Sequence, residues 1–197
     1  EAVSGAAHQI AELPFLNVMS DLAKAGVPVP TLYCYDQAAG LLYLEDFGDV
    51  TLAEAVSLVD ASGLESRYKQ AIDVLVQIQL KGTTPAEPGC LAFHRSFDAP
   101  LLLWEFDHFL EYGIVARQGK PMCADDWMPI RREFEQIADL LAGQPRVFVH
   151  RDYHSRNLML LDDGNLGVLD FQDAVRGPIT YDLMSLLRDC YVRWPTE

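Results

Sequence analysis

The chain has no run of about 18 consecutive apolar residues, so nothing in it reads as a membrane span. Its four cysteines, Cys34, Cys90, Cys123 and Cys190, are widely separated and form no paired motif. That argues against a disulfide framework and suits ordinary thiols in a reducing, cytoplasmic compartment. Positive charge is scarce: 15 Lys and Arg stand against 29 Asp and Glu, a net charge of −14. Such a surface repels nucleic acid backbones and anionic membranes, so neither is expected as a partner. Internal repeats and low-complexity stretches are absent too. What is there is a chain of 197 residues, 50% hydrophobic, enough for one large domain or two small lobes around a real core.

Periodicity divides the chain unevenly. Leu16, Met19, Leu22 and Ala23 predict a helix over 14–25, stopped by Gly26 and kept from restarting by Pro28 and Pro30. Two short strands follow, 31–36 and 41–47, around a turn at 37–40. Thr51 with Glu54 three residues on has the pattern of a capping box. Tyr68, Ile72, Leu75, Val76 and Gln79 mark the apolar face of a helix over 64–80. The Pro-rich segment 81–99 reads as a loop, 101–114 and 127–141 as helices, and 180–191 as a last helix. The front is poor in strands and the body rich in helices. Trp104, Phe106 and Phe109 read as packing residues rather than as a platform for a sugar.

The most informative stretch runs from residue 147 to 171. The apolar run Val147 to Val149 delivers a polar loop holding His150, Asp152 and Asn157. A second run, Leu158 to Leu161, leads into the turn Asp162-Asp163-Gly164-Asn165, and a third, Leu166 to Leu169, ends on Asp170. Three chemically different groups thus sit on the loop ends of short strands, where a scaffold can aim them at one point. Asp152 can accept a proton, and Asn157 and Asp170 offer the oxygen ligands that Mg²⁺ prefers. One base beside a two-ligand metal site is equipment for phosphoryl transfer. His150 reads as structural, its ring bonded to backbone. His150 and His154 flanking Asp152 also admit a zinc hydrolase, since imidazoles suit zinc. That reading needs further ligands, and His8, His94 and His108 are scattered.

His-Arg-Asp, with Asn five positions after the Asp and a later strand ending in Asp-Phe, resembles the catalytic and metal-binding loops of kinases. Tyr153-His154 after the Asp, and Gln172 where protein kinases carry Gly, resemble the aminoglycoside phosphotransferase and choline kinase family, which phosphorylates small molecules. Within it, His-Arg-Asp-Tyr-His-Ser-Arg-Asn and the run from Asp170-Phe171-Gln172-Asp173-Ala174 to Tyr181-Asp182-Leu183 look most like bacterial anomeric kinases of N-acetylmuramate and N-acetylglucosamine, which serve cell-wall recycling. The likeness runs from about Pro14 to Pro195.

The resemblance implies an α+β, protein-kinase-like fold, mostly the helical large lobe with a remnant of the small lobe. Residues 1–47 would be the partial N-terminal lobe and hinge, and 48–197 the C-terminal lobe with both functional loops. It implies ATP and Mg²⁺ as cofactors and an amino-sugar or amino-alcohol as acceptor. Asp152 would orient and deprotonate the acceptor hydroxyl, and Asn157 and Asp170 would hold the metal. Backbone groups near Glu45, Asp46 and Phe47 would meet adenine. His150 and Asp182 would support the catalytic loop. Asp173 and Glu105 are candidates for acceptor contacts; the plain role for Asp173 is to hold its loop by bonding backbone amides.

The Gly-rich loop and strand lysine that clamp phosphates in kinases are missing. Before the hinge the glycines are Gly5, Gly26 and Gly40, in no strand-turn-strand cluster, and Lys24 lies at a helix end. With the ending at Trp194-Pro195-Thr196-Glu197, where the resembling group continues, a fragment is expected. An aminoglycoside, choline or homoserine kinase stands as the same-class alternative, and a nucleotide-binding pseudokinase scaffold as one of another class.

Overall fold

The computed structural model describes residues 13–84 and 89–194. His8 and Gly5, and part of the segment expected as a loop over 81–99, lie outside these. The described architecture is α+β. Helix α1 (Pro14–Lys24) starts with proline in its first turn, where a missing N–H costs nothing. It ends before Gly26, whose φ of +73° suits glycine. Strands β1 (Leu32–Asp36) and β2 (Leu41–Leu44) form an antiparallel pair with a register shift between Leu32 and Cys34. Helix α2 (Leu52–Ser57) carries the capping box of Thr51 and Glu54 with both reciprocal bonds made.

Helix α3 (Ala61–Gln77) is longer at its start than its periodicity suggested and passes into a π turn over Ile78–Gly82. Its buried row is Leu64, Tyr68, Ala71, Leu75 and Ile78, while Val76, expected on that face, is exposed. The observed row alternates steps of three and four, which turns Val76 outward. A 3₁₀ turn at Leu91–Phe93 lies inside the expected loop. Helix α4 (Ala99–His108), capped by Asp98, runs into a π segment over Phe109–Val115 and a short α5 (Ala116–Gln118). Helix α6 (Ala124–Ala142) packs on α4, with the Phe106 and Phe134 rings stacked at 4.5 Å. Trp104 and Phe109, expected as packing residues, are 45% and 55% exposed. Trp104 packs instead on the His108 ring one turn on, 3.8 Å between centres, and Phe109 opens the π segment, which adds about a residue per turn and shifts the stripe from there.

The remaining strands are β3 (Arg146–Val149), β4 (Leu158–Leu160), β5 (Leu166–Val168) and β6 (Val175–Pro178). β3 pairs antiparallel with β6, and β4 with β5. β6 was not foreseen in the sequence. Helix α7 (Tyr181–Leu187) follows and is shorter than the expected 180–191. Successive residues of β3 serve different cores, as strand alternation requires. Phe148 joins the main core of α1, α2 and α3, with Tyr153, Leu158, Phe171 and Leu186. Val149 joins a smaller core with Phe97, Leu102, Ala138 and Val175. β3 is therefore wedged between two apolar bodies, and the loop leaving it starts from a fixed point. The front of the chain is stitched to the β4–β5 pair: Val168 donates its N–H to Pro28, and Leu160 donates to Val50, each at 2.8 Å. Among the described residues no helix is long and apolar enough to cross a membrane.

Candidate active site

The loop after β3 is held by buried polar groups. The Asp182 carboxylate, from the first turn of α7, accepts the N–H of His150 at 2.7 Å and of Arg151 at 3.1 Å. These two bonds satisfy consecutive amides where the backbone turns left-handed, with Arg151 at φ +78°. A non-glycine residue there is strained and persists because its surroundings hold it. The His150 ring is buried, with Nε2 2.9 Å from the Leu169 carbonyl. Burial pulls its pKa down to about 4, so the imidazole is neutral. Asp182 is pushed up to about 7, first by burial, against the pull of its two amide donors.

Further along the loop, Tyr153 is fully buried and its hydroxyl donates to the Ala71 carbonyl of α3 at 2.7 Å. Ser155 donates its N–H to Asp189 at 3.0 Å and accepts from the Ala53 amide at 3.0 Å. Asp189 also accepts from the amides of Tyr191 and Val192, so it ties the chain after α7 to the loop. The Arg156 guanidinium lies 4.0 Å from the centre of the Tyr191 ring. Tyr153 and Asp189 are anchors that the sequence reading missed. Tyr153 stood inside the motif and needed only its burial to be recognised; a lone Asp after a helix gives no sequence signal for a contact 34 residues earlier.

These anchors bring Asn157 and Asp170 together and place the Asp152 backbone beside them. The Asn157 amide nitrogen donates to the Asp152 carbonyl at 2.9 Å and lies 3.4 Å from Asp170 Oδ2. Leu169 donates its N–H to the Asn157 carbonyl at 2.9 Å, locking the two strand ends. Asp170 takes a left-handed conformation at φ +63°, and Gln172 Nε2 donates to its Oδ1 at 2.7 Å. His154 Nε2 is 3.4 Å from the Asn157 amide nitrogen. The residue Asp152 is exposed to the cleft, yet its carboxyl is partly stripped of water by the walls around it. That desolvation, reinforced by Asp170 and Asp173, raises its pKa; Arg151 and His154 act the other way.

Asn157 spends its nitrogen on the Asp152 carbonyl, and its oxygen accepts no hydrogen bond among the described residues. That oxygen and the Asp170 carboxylate, on residues brought within 3.4 Å of one another, form a donor set that fits Mg²⁺, which keeps several waters and takes few protein ligands. Among the described residues no three His, Cys, Asp or Glu side chains gather in a metal-holding cluster.

The candidate acceptor residues stand at the rim, each with a cationic partner. Glu105 of α4 accepts from Arg151 at 2.8 Å, and that guanidinium lies 5.6 Å from the centre of the Phe97 ring. Asp173 pairs with Arg95 at 3.5 Å instead of bonding backbone amides as its plain role suggested. The hinge residues lie apart from this cluster. Glu45 returns its carboxylate to Thr31, accepting from N at 3.0 Å and Oγ1 at 2.7 Å, which lowers its pKa. Asp46 accepts from the Gly48 amide at 2.8 Å. The Phe47 ring rests on Gly167 of β5 so closely that a Cβ there would come within 2.4 Å of it. Glu45, Asp46, Phe47 and Gly48 line a cavity of about 490 Å³, closed opposite by Leu161, Asp162 and Asp163 of the β4–β5 turn.

With this geometry in place, comparison with known proteins is specific. The model of the phosphotransferase enzyme family matches residues 5–197. An N-acetylmuramate/N-acetylglucosamine kinase of Pseudomonas aeruginosa is 36% identical over 92% of this chain and 51% of the relative. One of the same description from Neisseria meningitidis is 34% identical over 87% of this chain and 49% of the relative. The chain thus spans about half the length of the curated relatives it matches. Among solved structures, a GDP complex of aminoglycoside 2′-phosphotransferase-IIIa superposes with a TM-score of 0.59 at 14% identity, over 90% of this chain and 61% of that one. A choline kinase of Streptococcus pneumoniae superposes with a TM-score of 0.56 at 17% identity, over 88% of this chain and 54% of that one. The fold is that of the protein-kinase-like phosphotransferases.

Proposed function

We propose that this chain, which belongs to the phosphotransferase enzyme family, carries the acceptor and metal half of an ATP-dependent small-molecule kinase. Its acceptor is the anomeric hydroxyl of N-acetylmuramate or N-acetylglucosamine. The observation that carries the reading is the junction of Asp152, Asn157 and Asp170, locked by hydrogen bonds on adjacent strand ends. The choice of sugar rests on relatives of 36% and 34% identity.

The residues divide the work. Asn157 and Asp170 would hold Mg²⁺, which when bound draws off charge from the nucleotide phosphates. Asp152 accepts the proton of the acceptor hydroxyl as the new O–P bond forms and the bond from the γ-phosphorus to the departing ADP oxygen breaks, and its raised pKa makes it a better base. Asp182 and His150 act on the reaction only by holding the loop. Backbone groups of Asp46 and Phe47, with the cavity they line, receive the adenine. Residues 1–47 serve as the front lobe and hinge, and 48–197 as the lobe bearing the acceptor.

The test is ADP release by the complete protein across a panel of amino sugars, aminoglycosides, choline and homoserine. Turnover with the two N-acetylated sugars alone, with a phosphorus resonance of an anomeric phosphate, is expected. Turnover with choline or an aminoglycoside and none with the sugars would overturn the assignment.

A further inference from the structure

The two candidate acceptors differ in one chemical respect. N-acetylmuramate carries a lactyl ether ending in a carboxylate; N-acetylglucosamine has a hydroxyl there. The cleft around Asp152 is acidic, with Asp170, Asp173 and Glu105 near it, so a second carboxylate entering it needs a cation.

Arg151 and Arg95 each pair with one of these carboxylates. Arg151 is committed: its N–H goes to Asp182, its guanidinium bonds Glu105 at 2.8 Å, and its plane lies near the Phe97 ring. Arg95 is not. Its one side-chain partner among the described residues is Asp173, through a single long contact of 3.5 Å, and its side chain is 33% exposed. Most of its five donors are therefore free for a ligand. Its backbone is nonetheless fixed: the Arg95 carbonyl accepts the Arg176 amide of β6 at 3.0 Å, and Ser96 bridges to Arg176. β6 begins two residues after Asp173, so Arg95 is anchored to the same segment that follows Asp170. A guanidinium on a rigid backbone, loosely held by one carboxylate at the rim of an acidic cleft, is placed to exchange that carboxylate for another.

We infer that Arg95 recognises the lactyl carboxylate of N-acetylmuramate and sets the preference between the two sugars, with Asp173 as the internal carboxylate it releases. This rests on the reading of the site given above. The contact is a charge-assisted fork that Lys reproduces poorly.

The experiment compares kcat/KM for both sugars in the complete protein. In Arg95→Gln, the value for N-acetylmuramate should fall roughly ten- to a hundredfold, as for loss of a charge-assisted hydrogen bond. That for N-acetylglucosamine, which has no carboxylate there, should fall less than about threefold, within the effect of a substitution at a half-buried rim position. Arg95→Lys should recover part of the difference. N-acetylmuramate methyl ester, given to the unaltered protein, should behave like N-acetylglucosamine; this arm needs no variant to fold. Equal losses with both sugars in Arg95→Gln, or an ester used as well as the free acid, overturns the role of Arg95 while leaving the kinase reading standing. An unaltered protein that phosphorylates neither sugar overturns both.

Discussion

The loop 150–157 leads into β4, and the segment 45–48, proposed as the hinge, packs on β5 through Phe47; the two are held by opposite means. The loop is fastened from behind by wholly buried groups: His150, Ser155, Asp182 and the Tyr153 ring expose nothing to solvent. The hinge is fastened by exposed bonds, Glu45 to Thr31 and Asp46 to Gly48, and by one ring resting on a glycine. A buried hydrogen bond left unmade costs far more than an exposed one, because water cannot replace the lost partner. The loop is thereby built for one geometry, whereas the segment 45–48 and the loose rim pair Asp173–Arg95 can exchange partners with a ligand. On the proposed function, fixed chemistry and adjustable recognition are segregated by burial.

The contrast can be broken most directly at the base. Asp152→Asn should lower kcat by about 10²–10⁴-fold with little change in the sugar KM. Near-normal turnover in steady-state assays would remove Asp152 from the chemistry. Next comes the buried support. Asp182→Ala orphans two amides and should cost at least about 1–3 kcal/mol in denaturant unfolding. The milder Asp182→Asn tests charge. The neutral form of His150 is favoured by folding, so its contribution is full above its ordinary 6.5 and lost as pH falls toward about 4. Asp182, raised from 3.8 to about 7, works oppositely: its contribution is full at low pH and lost as pH rises through about 7. The two offset each other between pH 4 and 6.5. Asp182→Asn leaves His150 alone, and should lose stability on acidification more steeply than the parent in pH-dependent melts.

The hinge should respond differently. Gly167→Ala drives a methyl into the Phe47 ring. It should raise the KM for ATP while leaving the sugar KM in place, with a stability loss of about 1–3 kcal/mol or less as the ring yields. The smallest effect belongs to Glu45→Gln, where the bonds to Thr31 are exposed and water can take the place of a lost partner. If this variant unfolded as readily as Asp182→Ala, the division between loop and hinge would fail.

Much of this architecture was legible because local signals were strong. Thr51 with Glu54, Gly26 after α1, and three apolar runs ending in polar residues each have a local physical meaning. β6 was hidden because Arg176-Gly177-Pro178 looks like a turn; Gly177 is required there instead by Val149 and Phe97, whose side chains leave no room for a Cβ. The two π segments share apolar content with α-helix and differ only in hydrogen-bond spacing, so periodicity passes over them. Asp152, Asn157 and Asp170 could be picked out by type and spacing. Arg95, Asp189 and the Tyr153 hydroxyl could not, since each acts across more than 30 residues of chain.

Asp182 has one more consequence, visible on a clock. The amides of His150 and Arg151 are held by its buried carboxylate, so their protons exchange only when that contact opens. The Gly48 amide sits under an exposed side chain that can swing aside on its own. In heavy water the two would part by orders of magnitude in time, the exposed edge at Gly48 taking up deuterium early and the turn at 150–151 last.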